Sequence, residues 1–120
     1  MTTQEVANKI VANCKSGDFE SNYSNYYADD VVSYEPHDNA FGVEPQLEGL
    51  KAITERARQF HTLIEKVISK TVSEPIVAGE FFTFRICQEF QLKGMGYLKL
   101  DELCMFRVKN GKIIREEYFY

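Results

Sequence analysis

Apolar residues change their period once along this chain, near residue 64. Before that point they recur at helical spacing. Val6, Ala7, Ile10, Val11 and Cys14 share one face of a first helix. Thr2, with Glu5 three residues on, forms a capping box at its start, and Gly17 stops it. Asp18 caps a second helix in which Phe19, Tyr23, Tyr26 and Tyr27 fall together, ended by Ala28-Asp29-Asp30. A short strand over residues 31–35 stops at Pro36. Leu47, Leu50, Ile53, Ala57, Phe60 and Ile64 trace a third amphipathic helix, entered near Gly49. Between them, residues 36–46 carry Pro36, Asp38, Asn39, Gly42 and Pro45 and read as a loop. That loop is longer than the usual connection of about 4–6 residues, which marks a functional lid or rim.

Beyond residue 64 the period becomes that of strands. Residues 66–74 are rich in β-branched side chains and are broken by Pro75. Residues 76–79 lead into a long strand over 80–92, and Gly94-Met95-Gly96 turns the chain into a last hairpin, residues 98–120. In that hairpin Leu98, Leu100, Cys104, Phe106 and Val108 share one parity, which Glu102 interrupts. The returning strand repeats the feature with Ile114, Glu116, Tyr118 and Tyr120. Residues of one parity point to one side of a sheet, so both glutamates face apolar surroundings. A carboxylate there is costly unless it is partnered, hydrated or protonated.

The turn at residues 109–112 sets who meets whom. A two-residue Asn-Gly loop pairs Lys109 with Lys112 and puts Glu102 opposite Phe119. A three-residue loop with a bulge pairs Cys104 with Glu116 and Glu102 with Tyr118. The second is preferred because it joins the two apolar parities into one face. Helices first and strands afterwards give an α+β domain: a cone of three N-terminal helices packed on a strongly curved antiparallel sheet, with an internal cavity suited to a small molecule.

Composition narrows the partners. The 120 residues make one domain, 1–120, with 44% hydrophobic residues. A net charge of −4 argues against nucleic acid or an anionic membrane as the main partner. Arg56 and Arg58 read as the solvated side of the third helix. No run approaches the ~20 apolar residues that span a membrane, and no signal peptide is visible. Three cysteines without C-x-x-C spacing read as reduced thiols of a cytoplasmic protein.

The chemistry rests on carboxylates. Glu35, at a strand end before a loop, is the candidate base, since burial raises a carboxyl toward the range useful for proton abstraction. Its bland reading is an exposed strand-end carboxylate. Glu102 and Glu116 form a second constellation: if both face the interior, repulsion keeps one protonated, so one donates while the other accepts. The competing reading is an ion-pair network neutralised by Arg85 or Lys99. His37 sits at the cavity mouth, and His61 packs near the sheet end. Glu35, His37 and Asp38 do not have a recognised metal-ligand spacing, so no metal is expected. Cys104 is a small pocket wall, because neighbouring carboxylates raise a thiol rather than activate it.

Four stretches carry a family resemblance: Ser16-Gly17-Asp18-Phe19, Tyr27-Ala28-Asp29-Asp30-Val31-Val32, Glu48-Gly49-Leu50-Lys51-Ala52-Ile53, and Phe106-Arg107-Val108-Lys109-Asn110-Gly111-Lys112-Ile113. Together they span nearly the whole chain and resemble the SnoaL-like group of the nuclear transport factor two-like superfamily. That fold hosts isomerases, cyclases, dehydratases, epoxide hydrolases and binding modules, so it implies architecture more than activity. Likeness to ketosteroid isomerase makes Glu35 the counterpart of the general base and Tyr27 that of a pocket tyrosine. The two oxyanion-hole donors fall on Ile10 and Cys104, which argues against steroid isomerisation by that mechanism. Tyr118, Tyr120 and a protonated Glu102 are the substitute donors.

The expectation is a cofactor-independent enzyme moving protons on a small apolar or carbonyl-containing ligand, with Glu35, Glu102 and Glu116 catalytic. Tyr27, His37, Cys104, Tyr118 and Tyr120 would bind the ligand. The outer sheet face, with Leu103, Met105 and Phe119, suits a homodimer interface, as the resemblance also implies. Competing expectations are a non-catalytic binding or assembly module, and water activation by carboxylates bridged through Arg85.

Overall fold

The computed structural model describes residues 1–39 and 41–120; Ala40, within the expected loop, lies outside them. Helix α1 (Thr3–Ser16) starts at a complete Thr2/Glu5 capping box. It ends on Gly17, whose φ of 81° is the left-handed conformation a glycine adopts without strain. Its buried residues are Val6, Ala7, Ile10, Val11 and Cys14, the face its spacing predicts. Helix α2 (Phe19–Tyr26) is capped by Asp18. It stops one residue before Tyr27, which opens strand β1 (Tyr27–Tyr34) instead of closing the helix. Asp29 and Asp30 are therefore exposed strand residues, at a point where the β1 register slips.

The loop after β1 ends in a strand that hydropathy does not announce, β2 (Gln46–Glu48), antiparallel to β1. Leu47 belongs to it, and helix α3 begins later, at Leu50–Leu63. Strands β3 (Ile64–Val72), β4 (Ile76–Ala78), β5 (Phe81–Leu92), β6 (Gly96–Lys109) and β7 (Lys112–Phe119) complete a seven-stranded sheet. Its order is β2-β1-β7-β6-β5-β3, with β4 on β5.

The sheet is mixed, not antiparallel: β1 runs parallel to β7. The reason is where β1 starts. Tyr27 pairs with Ile113, just after the β6–β7 turn, and Lys112 Nζ donates to the Asn25 carbonyl at 2.7 Å. β1 and β7 thus leave the same corner in the same direction.

The last hairpin combines both registers considered for it. Asn110 (φ 53°) and Gly111 (φ 74°) make the two-residue turn, and Lys109 pairs with Lys112. One pair further on, Val108 meets Ile113, but Arg107 meets Arg115, so Ile114 is an extra, bulged residue. The bulge restores the common face that the preferred register was meant to provide. It does so with different pairs: Phe106 opposite Glu116, and Cys104 opposite Tyr118. Ile113, not Ile114, is the buried isoleucine.

Helix α1 lies across β5 and β6. Its apolar face meets Phe82, Phe84, Ile86, Cys104, Phe106 and Val108. Phe82 and Phe106 stack with centroids 4.8 Å apart, in the offset geometry that aromatic pairs prefer. This core fills the α1 end of the sheet. The polar groups gather toward α3 and the ends of β1 and β7.

Candidate functional site

Glu116 is completely buried, at 0% exposure, and on that account needs partners. It has three. Tyr27 and Tyr118 both donate their hydroxyls to Oε2, Tyr118 at 2.7 Å. Arg56 Nη2 lies 3.5 Å from Oε1. The β6–β7 bulge aims Glu116 inward, and the first residue of β1 brings Tyr27 across from the neighbouring strand. A guanidinium and two phenols thus satisfy a carboxylate that has no access to bulk water.

Arg56 is the residue whose surroundings differ most from those its sequence position suggests. It lies inside, with its side chain 18% exposed, and donates to Ser33 Oγ at 2.7 Å. Its Nη2 also lies 3.8 Å from Glu35 Oε1. Arg58, two residues on, is the solvated arginine, paired with Glu55. Arg85 does not neutralise the interior carboxylates. It forms a two-pronged pair with Asp101 on the outer sheet face, at 2.8 Å on both prongs. The period of α3 could have revealed Arg56, because position 56 follows Ile53 by one turn and precedes Phe60 by one. Ser33, fully buried on β1, carried no such mark.

Glu35 follows β1 directly, and its N–H donates to the Pro45 carbonyl at 2.8 Å. The side chain is 12% exposed. Among the described residues its Oε2, like Arg56 Nη1, is buried without a hydrogen-bond partner. Burial pushes the Glu35 carboxyl up, and the nearby Glu116 adds to this; Tyr120 and Arg56 beside it pull it back. Glu102 follows the same logic with less relief. Burial first, then the charges of Glu35 and Glu116, push its carboxyl up to about 8. At neutral pH Glu102 is therefore mostly a proton donor within a group of acceptors.

The remaining residues divide between core and mouth. Cys104, expected as a pocket wall, instead packs in the apolar core, outside the lining of the strand-end pocket. Burial, then Glu102, holds its thiol well above the usual range. Burial raises Tyr27 and Tyr118 in the same way, reinforced by Glu116, so both remain neutral phenols. Ile10, where an isomerase would need a tyrosine, is 1% exposed among apolar neighbours. His37 is exposed at the rim, and His61 stacks near Phe19 at 5.4 Å. A pocket of about 410 Å³ opens at the ends of β1 and β7, where Glu35, His37, Tyr118 and Tyr120 line it. A second, smaller pocket of about 240 Å³ lies between α2 and α3, lined by Phe19, Tyr23, Thr54 and His61; behind the hairpin, Glu116 is fully buried. Among the described residues no cluster of His, Cys, Asp and Glu has metal-binding geometry.

A SnoaL-like domain model matches residues 1–120. The chain belongs to the SnoaL-like family. A SnoaL-like protein from Mesorhizobium loti, provisionally described as a polyketide cyclase, superposes with a TM-score of 0.90 at 30% identity, over 100% of both chains. Two more distant structures share the fold. One, from Catenulispora acidiphila, has a ketosteroid isomerase-like fold in complex with trimethylamine (TM-score 0.72, 17% identity, 97% of this chain and 85% of that one). The other is TerC, co-crystallised with polyporic acid (TM-score 0.75, 20% identity, 98% and 90%). No functionally curated protein matches the chain. The SnoaL-like assignment accounts for the α+β architecture and leaves the activity to be argued from the site.

Proposed function

We propose that this SnoaL-like protein binds a small, mostly apolar carbonyl or ring compound and moves a proton on it without a cofactor, in the manner of an isomerase, cyclase or dehydratase. The observation that carries the reading is the division of labour among the interior carboxylates. Glu116 is saturated by two tyrosines and Arg56. Glu102 is held neutral near pH 7. Glu35 lines the pocket, and among the described residues its buried Oε2 has no hydrogen-bond partner. In this reading Glu35 abstracts the proton and Glu102 supplies one to the developing oxyanion, a pairing of unlike protonation states that suits acid–base catalysis. Glu116 acts as their partner by fixing Tyr27, Tyr118 and Arg56. Tyr118, Tyr120 and His37 would orient the ligand. Structurally similar proteins holding trimethylamine and polyporic acid fit a small organic ligand. The free cysteines fit a reducing, cytoplasmic setting.

The test is a ligand screen on the intact protein followed by turnover of any hit in Glu35→Gln and Glu102→Gln. A fall of about 10²-fold or more is expected in each. Undiminished turnover in both variants would remove proton transfer by these residues. A hit that binds and is never turned over would favour a non-catalytic binding module.

One observation favours a second reading. Arg56 Nη2 lies 3.8 Å from Glu35 and 3.5 Å from Glu116, a guanidinium between two carboxylates. That arrangement would also hold a water for attack on an epoxide, with Arg56 in the bridging place first assigned to Arg85. Incorporation of solvent ¹⁸O into product separates hydrolysis from isomerisation.

A further inference from the structure

The pocket at the ends of β1 and β7 has an unusual balance of polar groups. Glu35 and Glu117 line it, and carboxylates only accept. Tyr118 lines it too, and its hydroxyl donates inward to the buried Glu116. No lysine or arginine is among the lining residues, and His37, at the rim, is the basic side chain present. Four aromatic residues, Tyr34, Tyr118, Phe119 and Tyr120, are among those that line the pocket. Tyr34 already carries a cation on one face: the Arg115 guanidinium stands 4.5 Å from its ring centre while pairing with Glu117. Arg56 stands behind Glu35 at 3.8 Å, beyond hydrogen-bonding reach, and Tyr120 lies beside it. Among the described residues the buried Glu35 Oε2 has no hydrogen-bond partner.

A pocket lined by two carboxylates and four aromatic residues, with no lysine or arginine in its lining, complements a ligand that brings positive charge. Ring faces attract cations, and the attraction grows as both are withdrawn from water. We infer that this pocket binds an organic ammonium group, seated on the Tyr120 and Tyr118 rings with its charge toward Glu35. The inference does not depend on the proton-transfer reading, because it concerns what the mouth admits and not what the interior does. It extends that reading by giving the ligand a cationic end.

The probe pair is choline and 3,3-dimethylbutan-1-ol, equal in shape and hydroxyl and different in charge. Titration of the intact protein by NMR should show saturable choline binding, with shifts confined to residues 34–37 and 117–120. The uncharged isostere should bind about tenfold or more weakly, as expected for a partly desolvated cation–π and carboxylate site. Glu35→Gln should weaken choline by a similar factor and leave the isostere unchanged. Tyr120→Leu, at a residue 38% exposed, provides a second variant should Glu35→Gln fold poorly, and it too should weaken choline selectively. Equal affinity for the two probes, absence of saturable binding, or indifference to both substitutions would overturn the assignment. Loss of choline binding with turnover retained on some other substrate would count against this inference alone, whereas choline binding without any turnover would count against the proton-transfer reading alone.

Discussion

Two interior carboxyls, Glu102 and Glu35, are raised by burial, and their protonation shapes how the protein responds to pH. Glu102 has an ordinary carboxyl value of 4.5 when unfolded and about 8 when folded. Between these limits the folded chain holds a proton that the unfolded chain has released. Unfolding then releases a proton, and stability falls as pH rises through this window. Glu35 is shifted in the same direction and adds to the slope. Urea midpoints should therefore decline between about pH 4.5 and about pH 8, and Glu102→Gln should flatten that decline relative to the parent. A variant with an unchanged slope would mean that Glu102 is ionised in the fold. The parity of the last hairpin revealed that Glu102 and Glu116 face inward, because alternation directly reports which side of a sheet a residue takes. It could not reveal their neutraliser. Arg56 and Arg85 are equally charged in sequence, and the choice between them is made by tertiary packing: Arg85 has opposite parity to the core residues Phe84 and Ile86, whereas Arg56 lies one turn after the buried Ile53 of α3.

The elements were legible where one periodicity ran uninterrupted and were less so where two met. The capping box, the apolar face of α1 and the Gly17 stop all follow from local rules, and all are present. The boundary between α2 and β1 was not legible, since Tyr27 fits the aromatic stripe of the helix as well as the first inward position of the strand. The three-residue strand β2 is too short to show any period. Parallel pairing of β1 with β7 is a long-range fact that no local pattern encodes. The hairpin turn is the sharpest case. Its Asn-Gly sequence correctly implies a two-residue loop, and only the bulge at Ile114 brings Glu116 to the inner face. Gly111 is central to that loop: its φ is +74°, and a Cβ there would lie 3.1 Å from the Met1 nitrogen. Gly111→Ala should cost about 1–2 kcal/mol in denaturant unfolding, mostly as left-handed strain. A neutral result would imply that the turn relaxes to the longer loop, which would shift the Glu116 register and change the Tyr118 environment.

At the scale of the whole molecule, no helix among the described residues covers the outer sheet face around Leu103 and Phe119. Leu103 and Phe119 pair across β6 and β7 there, 50% and 46% exposed, with Met105 beside them. Around them, Arg85–Asp101, Arg107–Glu80 and Arg115–Glu117 close into ion pairs within the protomer. Local charge is thus neutralised where a second copy would approach, although the chain carries a net −4. An apolar centre with a self-satisfied polar rim is the composition of a protein interface, and twofold pairing of like faces is its simplest use. A homodimer through this face is expected to sediment at twice the chain mass at micromolar concentration. Leu103→Glu with Met105→Glu would place two like charges opposite two more across the twofold axis, and should yield monomers with unchanged far-ultraviolet circular dichroism. Both positions avoid the pocket, which Phe119 lines from its other side. Monomerisation with choline binding preserved would make the pocket a property of one chain. Loss of both together would mean that the second copy holds the Phe119 wall in place. A parent protein that sediments as a monomer would remove the dimer and leave this face without a partner.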